Sequence, residues 1–162
     1  MGTVDQDEYR RLSDLLAVGV AVASTRQGSH DLVVTVDSYL DVSYDPPTML
    51  IALYGMSRAA EAVEEAGHFC LPLLASDQQA LADRFGTPGA PLQGMLSGLE
   101  VTRTRDGDAI LPGGLAHFAI RVDQAVDAAT HRLLISPVTE MGPGRPDAEP
   151  AVRFAGEKRV LR

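Results

Sequence analysis

Four histidines, one cysteine and a cluster of hydroxyl and carboxylate side chains between Thr35 and Asp45 are the residues of this chain whose types could do chemistry. His30, His68, His117 and His131 are scattered, and none makes the helical i, i+4 pair that a zinc site of the His-Glu-x-x-His kind needs. Taken singly, each reads as a surface or satisfied core histidine. Cys70 is alone, which rules out an internal disulfide, and its neighbours Phe69 and Leu71 predict a buried, inert thiol. There is no paired-cysteine metal pattern and no Walker loop. The glycines of Gly142-Pro143-Gly144 run into Arg145-Pro146 instead of a helix start, so they offer no seat for a pyrophosphate. Ser97, within Gly94-Met95-Leu96-Ser97-Gly98, lacks the spacing of a nucleophile elbow. Glu61, Glu64 and Glu65 fall on the exposed face of a predicted helix, where solvation is their role. What remains is the Thr35 to Asp45 cluster with Ser57-Arg58 beyond it. By composition alone, Thr35 and Ser38 there are hydroxyls of an ordinary strand.

The elements that must position these groups follow from periodicity and breakers. From Asp5 to about Val18, apolar Tyr9, Leu12, Leu15, Leu16 and Val18 approximate helical spacing, with Asp5, Asp7 and Glu8 at the start. Val20 to Thr25 and Leu32 to Tyr39 are β-branched runs separated by a turn centred on Gly28, which predicts a hairpin. Pro46 and Pro47 remove two backbone donors and end that structure, and Met49 to Tyr54 reads as the next strand. Ser57 caps a helix over Arg58 to Ala66 that Gly67 stops, and Phe69 to Leu74 is a strand. Ser76 with Gln79 has capping-box spacing for a helix to about Phe85, and Gly86 to Gly98 is a loop. Leu99 to Arg105, Leu115 to Val126 and Leu133 to Met141 read as strands; Gly142 to Pro150 is a surface loop. Ala151 to Phe154 and Lys158 to Leu161 are predicted as two short edge strands. Strands without regular βα alternation argue for a mainly β barrel with α additions over a doubly wound sheet.

A chain of 162 residues with 45% hydrophobic content buries one good core, so residues 1–162 are expected to form a single domain. The net charge of −8, without any block of Lys or Arg, argues against nucleic-acid and anionic-membrane partners, and the absence of tryptophan removes most material for base stacking. No run approaches the roughly 20 apolar residues of a membrane span, and the start lacks the features of a secretory signal. A cytoplasmic location is the expectation.

The segment Thr35-Val36-Asp37-Ser38-Tyr39-Leu40-Asp41-Val42-Ser43-Tyr44-Asp45-Pro46-Pro47, followed by an apolar strand and Ser57-Arg58, resembles the signature of the flavin reductase family of short FMN-binding split barrels. That family reads Thr-x-Asn-Ser-Phe-x-Ser-Val-Ser-x-Asp-Pro-Pro, then a strand, then Arg-Ser-x-Thr opening a helix. Gly19 to Thr25, the helix exit Ala66-Gly67-His68-Phe69, Leu74 to Gln78 and Leu81 to Phe85 match family positions in the same order, and His131 matches the histidine of the family's Gly-Asp-His stretch. The resemblance implies a homodimer of six-stranded antiparallel split barrels with flanking helices. It implies FMN or FAD in a groove near the subunit interface, NAD(P)H as reductant, and a flavin-dependent monooxygenase as the recipient of reduced flavin. Carried over by position, Thr35, Asp37, Ser38 and Tyr39 face the ring and ribityl chain. Ser43, Ser57 and Arg58 face the phosphate, with Asp41 beside them, and His131 borders the nicotinamide. No metal is implied.

Several positions depart from the pattern. Asp37 stands for the asparagine, Asp41 for a serine near the phosphate, Ala59 for the helix-opening hydroxyl, Ala129-Thr130 for Gly-Asp, and Val33 or Val34 for a preceding glycine. Period-two alternation puts Asp41 on the face of Ser43. Two like charges about 4 Å apart at an effective dielectric near 20 cost about 4 kcal/mol, roughly a thousandfold in affinity. Two alternatives to a flavin reductase therefore stand: a diverged split barrel that has lost FMN and acts on or binds another small molecule, and a structural dimer that assists a partner enzyme.

Overall fold

In the computed structural model, which describes residues 2–159, the chain opens on helix α1 (Gln6–Ser13), whose first turn Asp5 caps by accepting from the Glu8 amide at 2.9 Å. Strands β1 (Val18–Gly19), β2 (Ala21–Gln27) and β3 (His30–Val36) follow, and β2 and β3 form the expected hairpin. Its turn passes through Gly28 at φ 57°, left-handed backbone that glycine adopts without strain. β4 (Tyr39–Tyr44) and β5 (Pro47–Tyr54) make a second hairpin, with a cis Asp45-Pro46 bond at its tip. Helix α2 (Arg58–Ala66) starts where the Ser57 hydroxyl accepts from the Ala60 amide, and stops at Gly67, φ 74°. After β6 (His68–Leu73), a 3-10 turn over Ser76–Gln78 leads into α3 (Gln79–Gly86). The rest is β7 (Thr102–Arg103), β8 (Ala109–Ile110), β9 (Ala116–Arg121), β10 (Gln124–Ala128), β11 (His131–Pro143), β12 (Val152–Phe154) and β13 (Glu157–Arg159).

The main sheet is antiparallel in the order β3-β2-β6-β9-β11-β5-β4, with β10 also paired to β11. It holds eight strands rather than six. Part of the difference is one interruption: β9 and β10 pair with successive stretches of the long β11, so the strand expected over Leu115 to Val126 breaks at Val122-Asp123. The two ends of the order, β3 and β4, are consecutive in the chain and joined only by Asp37 and Ser38. So short a link brings the sheet's ends together and rolls it into a barrel, yet no ladder joins β3 to β4 among the described residues. The barrel is split along that seam.

Alternation along β2 serves two cores. Ala21 and Ala23 face the barrel interior with Ile51, Leu53, Phe69, Leu71, Ile120 and Leu134, closed by Ala59, Ala60 and Val63 of α2. Val22 faces outward with Val33, under Ala82 and Phe85 of α3. Burying each large side chain of these clusters contributes about 1.5–3 kcal/mol.

Four local expectations change. Helix α1 ends at Ser13 instead of Val18, and Tyr9, Leu12, Leu15 and Leu16 are all exposed, with none of the described residues covering them. The strand expected over Leu99 to Arg105 shrinks to β7, a two-residue ribbon with β8. The cap before α3 lies one residue early: Gln78 Oε1 accepts from the Ala75 amide at 3.0 Å. The two C-terminal strands form, β12 pairing with β1 and β13; Val160 and Leu161 of that expectation lie outside the described residues. No helix among the described residues is long and apolar enough to cross a membrane.

Candidate functional site

The seam of the barrel gathers Asp37, Ser38 and Tyr39. The β2–β3 ladder ends at Val36 opposite Ala21, and the β4–β5 ladder begins at Tyr39 opposite Ile51. Between them the Ser38 carbonyl accepts from the Ala52 amide at 2.8 Å, whereas the Asp37 and Ser38 N–H groups donate to no backbone carbonyl among the described residues. Tyr39 is half-buried against Gly19, where a Cβ would stand 2.5 Å from the phenol oxygen. Burial, and then the charge of Asp37, push its hydroxyl up to about 12. Asp37 accepts the Ser38 hydroxyl at 3.3 Å and pairs with the Arg153 guanidinium at 2.5 Å. Arg153 arrives from the far end of the chain because β12 pairs with β1, Arg153 opposite Val18. Its other terminal nitrogen lies 3.7 Å from Asp14, and its Nε is buried without a hydrogen-bond partner among the described residues. Sequence reasoning missed Arg153; its only signal there was membership in a predicted edge strand.

Thr35 does not join this group. Its hydroxyl donates to the Ala82 carbonyl at 2.6 Å, on the outward face of β3 beneath α3. Asp41 and Ser43 lie toward the tip of the β4–β5 hairpin, and the alternation argument fails for them. Val42 is the extra residue of a β-bulge, so Asp41 pairs with Met49 but Ser43 with Thr48, adjacent residues that face opposite sides of β5. Both border a cleft of about 420 Å³ whose other walls include Met49, Phe118, Val138 and Met141.

Ser57 and Arg58 follow the opposite end of β5. From Thr48 to Tyr54 that strand spans about 20 Å, so within one protomer no single phosphate touches both Ser43 and Ser57. Ser43 therefore lies apart from Ser57 and Arg58, which sit together beyond the other end of β5. The Ser57 hydroxyl already serves the Ala60 amide at 3.1 Å. Arg58 is exposed and borders a cleft of about 410 Å³ with Gln27, Glu61 and Glu65. His131 starts β11 opposite Tyr54, meeting its ring edge-on at 6.0 Å, and its Nδ1 lies 3.0 Å from the Thr130 hydroxyl. It flanks β5 on the side away from Ser38, two strand spacings or on the order of 10 Å across.

Two other chemistry-bearing residues have structural roles. Cys70 is fully buried in β6, and burial raises its pKa well above the ordinary thiol range. His68, read from the sequence as one of four scattered histidines, holds buried Asp108 at 2.8 Å, and Asp108 also accepts the Arg26 amide at 2.9 Å. Desolvation raises the Asp108 pKa, against the lowering effect of the His68 hydrogen bond. No group of three or more metal-ligating side chains occurs among the described residues.

As chemistry, the seam offers unspent main-chain donors and a guanidinium, a set that fits the acceptor-rich edge of a planar heterocycle. Arg58 at the N-terminus of α2 fits a phosphate, opposed by the acidic Glu61 and Glu65.

A family model described as flavin reductase like domain matches residues 12–162. The chain is 28% identical over 156 residues to the NADH-dependent FMN reductase of Streptomyces nodosus subsp. asukaensis, covering 96% of this chain and 84% of that protein. It is 28% identical over 157 residues to the 4-hydroxyphenylacetate 3-monooxygenase reductase component of Thermus thermophilus, covering 96% and 97%. Among solved structures, nitrilotriacetate monooxygenase component B of Mycobacterium thermoresistibile superposes with a TM-score of 0.90 at 26% identity, over 98% of this chain and 87% of that one.

Proposed function

The chain belongs to the flavin reductase-like domain family, and from that membership we propose that it is a single-domain, cytoplasmic NAD(P)H-dependent flavin reductase that supplies reduced flavin to a partner monooxygenase. The observation that carries the reading is the seam: Asp37 and Ser38 amides that donate to no backbone carbonyl among the described residues, with the carboxylate that stands for asparagine neutralised by Arg153. The Arg153 pairing offsets the carboxylate that Asp37 brings in place of asparagine. Against the objection raised by Asp41 stands its distance from Ser57 and Arg58, with most of β5 between them.

A flavin held there would supply hydride acceptance from the reduced nicotinamide and onward electron transfer. The residues of this chain bind and orient: the seam receives the ring, Arg58 the phosphate, and His131, braced by Tyr54 and Thr130, borders the nicotinamide. The relatives named as monooxygenase reductase components support the choice of partner.

A homodimer completes the proposal. Register aligns Leu40, Leu50, Ala52 and Tyr54 with Leu133, Ile135 and Val126 on the outward face of β4, β5, β11 and β10. Leu40, Tyr54 and Val126 are 51%, 53% and 46% exposed, an apolar sheet face that a second copy would cover. Light scattering on the purified protein should give twice the 17.2 kDa chain mass, and Leu40→Glu should give monomer; a wild-type monomer refutes the dimer.

The test of the activity is an FMN titration by flavin fluorescence, followed by NADH and NADPH oxidation in the same sample. Micromolar binding with turnover is the expected result. Glu61 and Glu65 beside Arg58 favour the second reading, a split barrel turned to another small molecule, and absence of both binding and turnover would overturn the reductase reading in its favour.

A further inference from the structure

Asp37 and Arg153 have the composition of a clamp, tying β12 to the seam, but not its hydrogen bonding. A clamp made for stability alone would spend its buried donors. Here one terminal nitrogen of Arg153 pairs with Asp37 at 2.5 Å, and the other stands 3.7 Å from Asp14, beyond a good hydrogen bond. The buried Nε has no partner among the described residues. A guanidinium carries five N–H donors in a fixed fork, and a buried donor left unpaired carries a penalty that a partner would relieve. The side chain is nonetheless 42% exposed, so it remains open to a ligand, and it adjoins the seam whose Asp37 and Ser38 amides are also unspent.

We propose that Asp37 and Arg153 act as one charge-compensated donor unit for the flavin. Asp37 is the positioning residue that holds the guanidinium, and Arg153 faces the acceptor-rich pyrimidine edge of the ring and sets its electron affinity. The inference rests on the flavin-reductase reading. A charge near that edge tunes a flavin's electronics, because the reduced ring gathers negative charge there. The pair therefore determines how strongly the protein prefers reduced over oxidised flavin. Breaking the pair from either side should have opposite consequences. Arg153→Gln leaves a bare carboxylate, and Asp37→Asn leaves a bare guanidinium.

The experiment measures FMN affinity by fluorescence quenching, and the midpoint potential of the bound FMN by reductive titration, for wild type, Arg153→Gln, Asp37→Asn and the double variant. Arg153→Gln should weaken FMN binding about tenfold or more and lower the potential. Asp37→Asn should raise the potential, and the double variant should return toward wild type. A tenfold change in the preference for reduced over oxidised flavin corresponds to about 30 mV for this two-electron couple. Single-variant potentials that do not move, or that move in the same direction, while wild type binds FMN, would overturn the proposal and leave the pair as a clamp. A wild-type protein that binds no FMN would overturn the flavin reading itself, and this proposal with it. Should circular dichroism show Arg153→Gln unfolded, Arg153→Lys replaces it. That variant keeps the charge without the planar fork, so binding should weaken with little change in potential, while Asp37→Asn still raises it; an unshifted Asp37→Asn would then refute the inference.

Discussion

The seam and the hairpin tip each carry an aspartate where the family has a neutral side chain, and the fold treats the two in opposite ways. Asp37 is half-buried, adjoins unspent amides and is met by Arg153. Asp41 is exposed, sits at a bulge beside an apolar cleft, and makes no ion pair among the described residues. The same substitution of charge for neutrality is compensated where main-chain donors converge and left to solvent where they do not. The difference separates the two surfaces more sharply than either residue type does.

The contrast breaks most severely at Gly19. A Cβ there would stand 2.5 Å from the Tyr39 hydroxyl, so Gly19→Val must drive the phenol out of its seat beside Asp37. We expect FMN affinity to fall at least about tenfold and stability to fall about 1–3 kcal/mol, the usual cost of overpacking. Flavin titration and urea denaturation measure the two effects. Retained affinity would separate Tyr39 from the site.

Next in size is the titration of Tyr39, raised from 10.0 to about 12 by burial and by Asp37. A group whose pKa is raised on folding adds stability below its unfolded pKa and loses it as pH rises through the folded one. Stability should therefore decline between about pH 10 and pH 12, and ultraviolet difference absorbance should show one tyrosine ionising late. Asp37→Asn removes the smaller of the two causes and should bring that ionisation to lower pH. Asp41→Asn should leave it in place.

Much of this was legible in the chain. The β2–β3 hairpin, the Ser57 cap and Gly67 stop of α2, and the seam residues themselves rest on local signals such as turn glycines, capping hydroxyls and a colinear motif. What escaped was long-range or depended on register. Arg153 reaches Asp37 only through the pairing of β12 with β1, and His68 at the start of β6 finds Asp108 only because β8, which Asp108 precedes, packs against β6. The Val42 bulge carries no composition signal, yet one extra residue was enough to reverse the inferred face of Ser43 relative to Asp41. The position of Thr35 was hidden for a related reason. Strand alternation cannot say which face a helix will cover, and α3 covers this one.

Thr35→Val tests that last assignment. It removes the hydroxyl bonded to the Ala82 carbonyl and keeps the shape, so stability should fall by about 1 kcal/mol with FMN affinity unchanged. A loss of affinity without a loss of stability would return Thr35 to the site.

The smallest expected effect is the most informative about the comparison. If Asp41 stood beside a bound phosphate, Asp41→Ser would relieve a repulsion of about 4 kcal/mol and strengthen FMN binding by orders of magnitude. In this fold about 20 Å of β5 separates the hairpin tip from Ser57 and Arg58. Screening over such a distance through exposed surface leaves little to relieve. Asp41→Ser should therefore bind FMN within about twofold of wild type at 0.15 M salt, where the Debye length is about 8 Å. A large gain would mean that the hairpin tip approaches the phosphate after all, through a second copy of the chain in the dimer, and the seam would then be only one of two surfaces that hold the flavin.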